Sequence, residues 1–127
     1  MAVENTFMGK VFVGSPAPLG TWKDKVEHVL MEGETSEMEY KGLRDGMVLT
    51  DRRMIVINAQ GITGKKLEFS SFPWTSVSAY AVENSGTFDL DAELKICGSG
   101  WGVCEVQLSK GSKLVELCRF INGRIFR

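Results

Sequence analysis

The sequence lacks an excess of charge of either sign. Its 127 residues carry 15 lysines and arginines against 16 aspartates and glutamates, for a formal net charge of −1. A general nucleic-acid binder usually carries a basic excess, so nucleic acid is not expected as a partner. The apolar fraction of 43% is close to the globular average, which argues against intrinsic disorder and allows one hydrophobic core.

Long apolar runs and an export signal are lacking as well. The longest run is the stretch of four residues from Met54 to Ile57, far short of the ~20 that a membrane-spanning helix needs. Glu4 and Asn5 interrupt the N-terminus, where a secretory signal would be apolar. The three cysteines form an odd set, and without an export signal this indicates free thiols and a cytoplasmic location.

Histidine, the usual base of nucleophilic catalysis, occurs once. His28 lies one residue off the apolar stripe of a predicted helix, so we expect a partly exposed position. Three cysteines and one histidine could form a zinc site by number, but Cys97 and Cys104 are separated by a hairpin tip and Cys118 falls on a helical apolar stripe. The sequence therefore predicts no enzyme activity, no metal and no other cofactor.

One glycine-rich turn superficially resembles a phosphate-binding loop. Gly61-Ile-Thr-Gly-Lys-Lys66 has two residues between its glycines, whereas a P-loop has four and places Ser or Thr after its lysine. The segment also leads into a predicted strand, where a P-loop leads into a helix. We therefore expect a solvated hairpin turn and no nucleotide site.

From Glu34 onward, apolar residues alternate as they do in half-buried strands. The clearest case is residues 88–96, whose inward side is Phe88, Leu90, Ala92, Leu94 and Ile96. Six further strands are predicted around Met38 and Tyr40 and over residues 47–50, 53–58, 65–69, 77–83 and 103–108. About seven strands between glycine- and aspartate-rich turns predict an antiparallel sandwich or barrel.

Helical periodicity flanks the strands on both sides. Thr21 and Asp24 resemble a capping box and Gly33 is a natural stop, which predicts a helix over about residues 21–31. Its apolar stripe is Trp22, Val26, Val29 and Leu30. Ser112 can cap a second helix over about residues 112–123, which Gly123 ends. This second helix is expected to cap one end of the β-core with a stripe of Leu114, Leu117, Cys118 and Ile121.

Three stretches resemble the bacterial pleckstrin-homology family. Leu49-Thr-Asp-Arg-Arg-Met-Ile-Val-Ile57 is similar to the family's Thr-(Asn/Asp)-x-Arg-aliphatic hairpin, and Gln60-Gly-Ile-Thr-Gly-Lys-Lys-Leu-Glu68 to its Gly-x-x-Gly-Lys-Lys-x-Glu turn. Val82-Glu-Asn-Ser-Gly-Thr-Phe-Asp-Leu-Asp-Ala-Glu-Leu94 resembles its Glu-Thr-Ala-Gly-x-Phe-Asp-x-Asp-Ala-Glu-Leu strand, with Asn84-Ser85 where Thr-Ala is usual. The resemblance implies a fold similar to eukaryotic pleckstrin-homology (PH) domains, subunits that form closed rings, and no enzymatic activity.

Pattern and resemblance together predict a mainly β chain. The expected fold is PH-like, a seven-stranded antiparallel sandwich or partly open barrel with a C-terminal capping α-helix. Residues 1–33 are predicted as an N-terminal extension with one helix, and residues 34–127 as the PH-like domain that includes the C-terminal helix.

Three carboxylates on the outward side of the 88–96 strand are our candidate contact with another subunit. Asp89, Asp91 and Glu93 repeat along one face, and like charges so arranged repel each other. A solvated face is the alternative interpretation.

The turn and strand that begin at Arg52 supply the candidate complement to these carboxylates. Arg52 and Arg53 could pair with them in the same subunit or an adjacent one. The strand that follows is apolar on both faces, so its second face is covered either by the first predicted helix or by another subunit. Met54 and Val56 are therefore candidate apolar contacts of the interface.

Two functions are consistent with these features. The first is a non-enzymatic interaction or scaffolding module that self-assembles, as a cyclic homo-oligomer, and binds an unidentified protein partner. The alternative is membrane recruitment through anionic lipid headgroups, which draws on fold analogy and on the basic C-terminal helix. Lipid binding is expected to be weak or absent, because Lys41-Gly-Leu-Arg-Asp-Gly46 lacks the second arginine of the Lys-(x)n-(Lys/Arg)-x-Arg pattern of phosphoinositide-binding relatives.

Overall fold

Eight strands form one open, hydrogen-bonded sheet in the computed structural model, which describes residues 11–84, 91–109 and 113–126. The strands are β1 (Val11–Ala17), β2 (Ser36–Lys41), β3 (Gly46–Thr50), β4 (Arg53–Gln60), β5 (Lys66–Pro73), β6 (Ala79–Asn84), β7 (Ala92–Gly98) and β8 (Gly102–Leu108). Their order is β5-β4-β3-β2-β1-β8-β7-β6, so β5 and β6 are the two edges. Neighbouring strands are antiparallel except β1 and β8, which are parallel.

The predicted β-rich class is confirmed, and the seven predicted strands correspond to β2 through β8. Within β7 the side chains of Ala92, Leu94 and Ile96 are buried, as their alternation predicts. The first part of the predicted 88–96 strand, with Asp89, lies outside the described residues.

Strand β1 is an addition that the sequence pattern did not predict. It lies between β2 and β8, with Val11 and Val13 buried and Phe12 exposed. The register with β8 shifts between Phe12 and Gly14, and Gly14 has a φ of +79°. A Cβ atom at Gly14 would lie 2.1 Å from the carbonyl oxygen of Lys41, so only glycine fits there. This irregularity breaks the period of two and hides the strand in the sequence.

The predicted N-terminal helical extension is not supported. Helix α1 covers only Lys23–Val26, and turns replace the rest of the predicted 21–31 helix. The predicted capping box does not form. The carboxylate of Glu39 instead accepts the backbone N–H groups of Gly20 (2.6 Å) and Trp22 (2.8 Å). The Thr21 hydroxyl donates to the Pro18 carbonyl at 2.6 Å. Tertiary contacts therefore decide the conformation of this segment in place of local propensity.

Two apolar clusters lie on opposite faces of β4. Met54 and Val56 belong to the main core, which fills the interior of the sheet. Ile55 and Ile57 belong to a second cluster that Trp22 and Val26 complete from the other side. The prediction that both faces of this strand are covered is confirmed, and the segment around α1 provides the cover.

The C-terminal helix α2 covers Leu114–Ile125 and buries Leu114, Leu117 and Ile121 in the main core, as its apolar stripe predicts. The helix continues past Gly123, and its N-cap is Lys113. The predicted cap, Ser112, lies outside the described residues. No helix within the described ranges is long and apolar enough to cross a membrane.

Candidate interaction surface

Three carboxylates lie together at one end of the β6–β7 pair. Glu83 and Glu93 are directly opposite each other in the strand register, and Asp91 immediately precedes β7. We call Glu83, Asp91 and Glu93 the acidic cluster. They line an open cavity of about 160 Å³ together with Asn84, Ala92 and Gln107. Like charges directly opposite each other across two strands repel, and Lys95 lies in the next row of the same face.

An apolar groove continues the same outer face of the sheet. Ala79, Cys97 and Val103 form one cross-strand row, and Ala81 lies in the next row beside Lys95. The groove has a volume of about 230 Å³ and extends over these residues, Tyr80 and Ile96. Side chains on one face of a strand recur every ~6.6–6.8 Å, so the acidic cluster and the groove form one continuous surface.

Arg53, a predicted complement of the carboxylates, is engaged inside its own subunit. Its Nε and Nη2 donate to the two carboxylate oxygens of Glu34 at 2.8 and 2.7 Å, and Nη2 also donates to the Val29 carbonyl at 2.6 Å. The buried Glu34 carboxylate further accepts the Thr50 hydroxyl (2.7 Å) and the Met31 N–H (2.9 Å).

The pKa values of both partners in this pair shift in the direction that favours the charged form of each side chain. The hydrogen bonds from Arg53 outweigh desolvation and lower the pKa of Glu34 from 4.5 to about 2. The same contact raises the pKa of Arg53. Through this pair and the bond to Val29, Arg53 connects the chain that follows α1 to the start of β4. Arg53 therefore has a structural role within its own subunit.

Met54 and Val56 are core residues and not surface contacts. Their exposed fractions are 0% and 3%, because they point into the main core between the two halves of the sheet. Arg52 does remain exposed; its Nη1 lies 3.7 Å from the Met31 sulfur and its Nε 4.0 Å from an Asp51 carboxylate oxygen.

Two neighbouring turns form a basic surface that sequence reasoning missed. Arg44, in the β2–β3 turn, donates from Nη2 to the carbonyl oxygen of Gly61 in the β4–β5 turn. The Asp45 carboxylate accepts the Ala59 N–H at 2.7 Å and fixes the same turn to the end of β4. Gly64 has a φ of +67°, and a Cβ atom there would approach the Arg44 guanidinium to 3.3 Å. Glycine thus allows the two turns to pack closely.

The exposed side chains of these turns and of the adjoining end of β5 include two aliphatic and three basic ones. Leu43 is 96% exposed and Ile62 is 102% exposed, and Lys65 and Lys66 follow Ile62 along the chain. We call Leu43, Arg44, Ile62, Lys65 and Lys66 the basic tip. The sequence predicted the 61–66 turn, but a contact between turns of different hairpins leaves no periodic signal.

The cysteines and the histidine lie on separate elements. Cys97, Cys104 and Cys118 are free thiols, and burial raises the pKa of Cys104 to about 12. His28 is exposed, with its Nε2 atom 4.0 Å from a carboxylate oxygen of Glu27. In the part of the chain that the structure describes, no group of three or more Cys, His, Asp or Glu residues is arranged to hold a metal ion.

Comparison with known proteins finds sequence relatives over most of the chain. The family model described as Bacterial PH domain matches residues 5–125. Uncharacterized protein YjqA of Bacillus subtilis (strain 168) is 51% identical over 78 residues, which cover 61% of this chain and 62% of that protein, so the match spans less than two thirds of YjqA. Uncharacterized protein YozO of the same organism is 28% identical over 93 residues, which cover 73% of this chain and 80% of that protein.

Two solved structures resemble the chain over nearly its whole length. A DUF1696 family protein with a pleckstrin-homology domain from Shewanella loihica PV-4 superimposes with a TM-score of 0.77 at 32% identity, covering 88% of this chain and 97% of that one. A pleckstrin homology domain from Shewanella amazonensis SB2B gives a TM-score of 0.72 at 34% identity, covering 89% and 92%.

Proposed function

The chain belongs to the bacterial PH domain family, whose model it matches over residues 5–125, and from this premise we propose that it is a non-catalytic interaction module that assembles with copies of itself and binds a protein partner. The observation that carries the proposal is the acidic cluster. Glu83 and Glu93 are exposed or half-buried and directly opposed, and like charges in this position across two strands repel each other.

The neighbourhood of the cluster supports an interface with more than charge in it. Isolated surface ion pairs contribute only about 0–1 kcal/mol, so an assembly needs apolar contacts beside them. The apolar groove adjoins the cluster on the same face and supplies them. A closed ring, the assembly that we favour, needs a heterologous interface in which the two contacting surfaces differ. An acidic surface meeting a basic one fulfils that condition.

Light scattering coupled to size-exclusion chromatography tests the proposal. We expect the wild-type chain to have a mass several times that of one subunit, and the Asp91→Lys, Glu93→Lys variant to be folded but smaller. Glu27→Lys with Glu32→Lys, a matched change of charge at exposed positions outside the cluster, should keep the wild-type mass. A monomeric wild type, or an unchanged mass for the first variant, would show that the cluster is only a solvated face.

We also propose that the protein acts in the cytoplasm. The three thiols of Cys97, Cys104 and Cys118 are free, which fits a reducing compartment.

A further inference from the structure

We propose that residues 18–33, which connect β1 to β2, form a strap that opens as one unit while the rest of the domain stays folded. The closed strap covers the outer side of β3 and β4, where Val48, Ile55 and Ile57 are fully buried. Its opening exposes these three side chains to water and gives the domain a second conformational state. The opening involves one subunit only and is independent of the acidic cluster.

The strap packs on a cluster of its own. Its buried residues, Trp22 and Val26, belong to the second apolar cluster, and the partly buried Leu30 packs against the same cluster. Among the residues that the structure describes, the main core takes no side chain from the strap. Opening therefore gives up contacts of the second cluster and leaves intact the main core, which joins both halves of the sheet to α2. Proteins commonly open in such contiguous units.

The backbone of the strap is bonded to itself. Within the ranges that the structure describes, its backbone–backbone hydrogen bonds join residues of the strap to one another, with one further bond to Glu34, the residue that follows. A strand, by contrast, shares a ladder of such bonds with its neighbour. Side chains attach the strap to the sheet: Glu39 and Arg53 bind its N–H and carbonyl groups, and the indole N–H of Trp22 donates to the Tyr40 carbonyl at 2.9 Å. Opening breaks these bonds and no strand ladder.

The ends and the underside of the strap offer little resistance to movement. Gly20 has a φ of +96° and Gly33 a φ of +82°, and the space that a Cβ atom would occupy is open at both. Glycine accepts many backbone conformations, so these two positions can absorb the change of direction that opening requires. An open cavity of about 210 Å³ lies between Val26 and Leu30 of the strap and Glu39 of β2. Because protein interiors are otherwise close-packed, this side gives up fewer contacts on opening.

Thiol labelling of the full chain measures the opening. Val48→Cys, in a background of Cys97→Ser with Cys118→Ser, places a thiol of similar size under the strap, and the buried native Cys104 of the main core is the internal reference. The rate at which each thiol reacts with dithiobis(nitrobenzoic acid) is divided by its rate in the urea-unfolded chain. We expect the introduced thiol to be at least about tenfold less protected than Cys104, because the strap opens more often than the domain unfolds. Circular dichroism verifies that each variant is folded.

Two further substitutions in this labelling variant separate opening of the strap from unfolding of the domain. Leu117→Ala weakens the main core, which the closed and open states share. It should accelerate labelling of Cys104 at least about tenfold and leave the introduced thiol within about twofold of its former rate. Val26→Ala weakens the closed strap, which both reactions lose, and should accelerate both thiols by the same factor. If Leu117→Ala accelerates both thiols equally, the strap opens only when the whole domain unfolds, and the inference is wrong.

Hydrogen exchange of the unmodified chain in low concentrations of urea tests the opening without any substitution. The N–H groups of Val26, Val29 and Leu30 should exchange with one common free energy of opening and a weak dependence on urea, because opening exposes little surface. The N–H groups in the ladder between β7 and β8 should exchange more slowly and depend more steeply on urea. Equal free energies and equal urea dependences for the two groups would show that the strap is no separate unit and would refute the inference.

Discussion

Replacing Glu34 by glutamine should remove a large part of the stability of this domain. The substitution keeps the shape of the side chain but removes the charge that Arg53 neutralises at 2.7 Å, and it brings an NH2 donor among groups that are themselves donors. These are the Arg53 guanidinium, the Thr50 hydroxyl and the Met31 N–H. The Glu34 side chain is fully buried and that of Arg53 is 18% exposed, so water provides little compensation.

The pKa of Glu34 gives the magnitude. Lowering this pKa from 4.5 to about 2 corresponds to roughly 3 kcal/mol, since a tenfold change in an equilibrium constant is worth about 1.4 kcal/mol. Breaking a buried ion pair by removing one partner typically costs about 3–5 kcal/mol, which agrees. We therefore expect Glu34→Gln to lower the free energy of unfolding at pH 7 by about 3 kcal/mol.

The sign of the pH dependence follows from the direction of the shift. Because the folded-state pKa of Glu34 is depressed, its contribution is complete above the unfolded-state pKa of about 4.5 and is lost as the pH falls through about 2. The difference in stability between wild type and Glu34→Gln should therefore shrink steadily over that range of pH.

Urea unfolding followed by tryptophan fluorescence, at several pH values, measures these quantities, because Trp22 and Trp74 are buried. Glu37→Gln, at an exposed position three residues further on, is the matched control and should change stability by no more than about 0.5 kcal/mol. A loss below about 1 kcal/mol for Glu34→Gln at pH 7, or a difference from wild type that persists undiminished at about pH 2, would refute the reasoning.

Two further predictions concern the C-terminal helix and lipids. Leu117→Ala should lower the free energy of unfolding in urea by about 2–5 kcal/mol, because Leu117 is fully buried. Arg119→Ala should have little effect, because Arg119 is exposed, and equal, small losses for both variants would contradict the packing of α2. In liposome co-sedimentation, phosphoinositides should give no tighter binding than other anionic lipids at about 0.15 M salt, and any binding should fade as salt screens the exposed charges; tight binding specific to one headgroup would overturn this expectation.

Alternation and family resemblance together predicted most of the fold from the sequence. Strands β2 through β8 and helix α2 follow from side-chain periods that packing against one core enforces. The two-faced strand β4 predicted a cover over Ile55 and Ile57, and the segment around α1 provides it. Strand β1 could not be predicted, because the irregularity at Gly14 interrupts the alternation of its buried and exposed side chains. The 21–31 helix was predicted too long because Glu39, a distant carboxylate, determines the turn at Gly20 and Trp22.

The candidate site was less accessible to sequence reasoning than the fold. The acidic side of β7 follows from alternation, but Glu83 joins it only through the register of β6 against β7. The sequence does not reveal that Arg53 pairs with Glu34, because Glu34 is 19 residues away and outside any periodic pattern. The contact between Arg44 and Gly61 is likewise tertiary, so the basic tip could be identified only once the turns were placed in space.

The position of β1 has a consequence for how the chain folds. This strand joins β2 to β8. The Ser15 hydroxyl is hydrogen-bonded to the hydroxyl of Ser109, 94 residues further along the chain, and the Ser109 N–H donates to the Gly14 carbonyl at 2.9 Å. During synthesis β1 emerges before β8, so one side of β1 stays without its strand neighbour until nearly all of the described chain has been made. Closing so long a loop is slow, because its entropy must be lost before the parallel contacts form. Joining β1 and β8 should therefore be a late event in folding, and a circular permutant that brings the two strands close in sequence should fold faster.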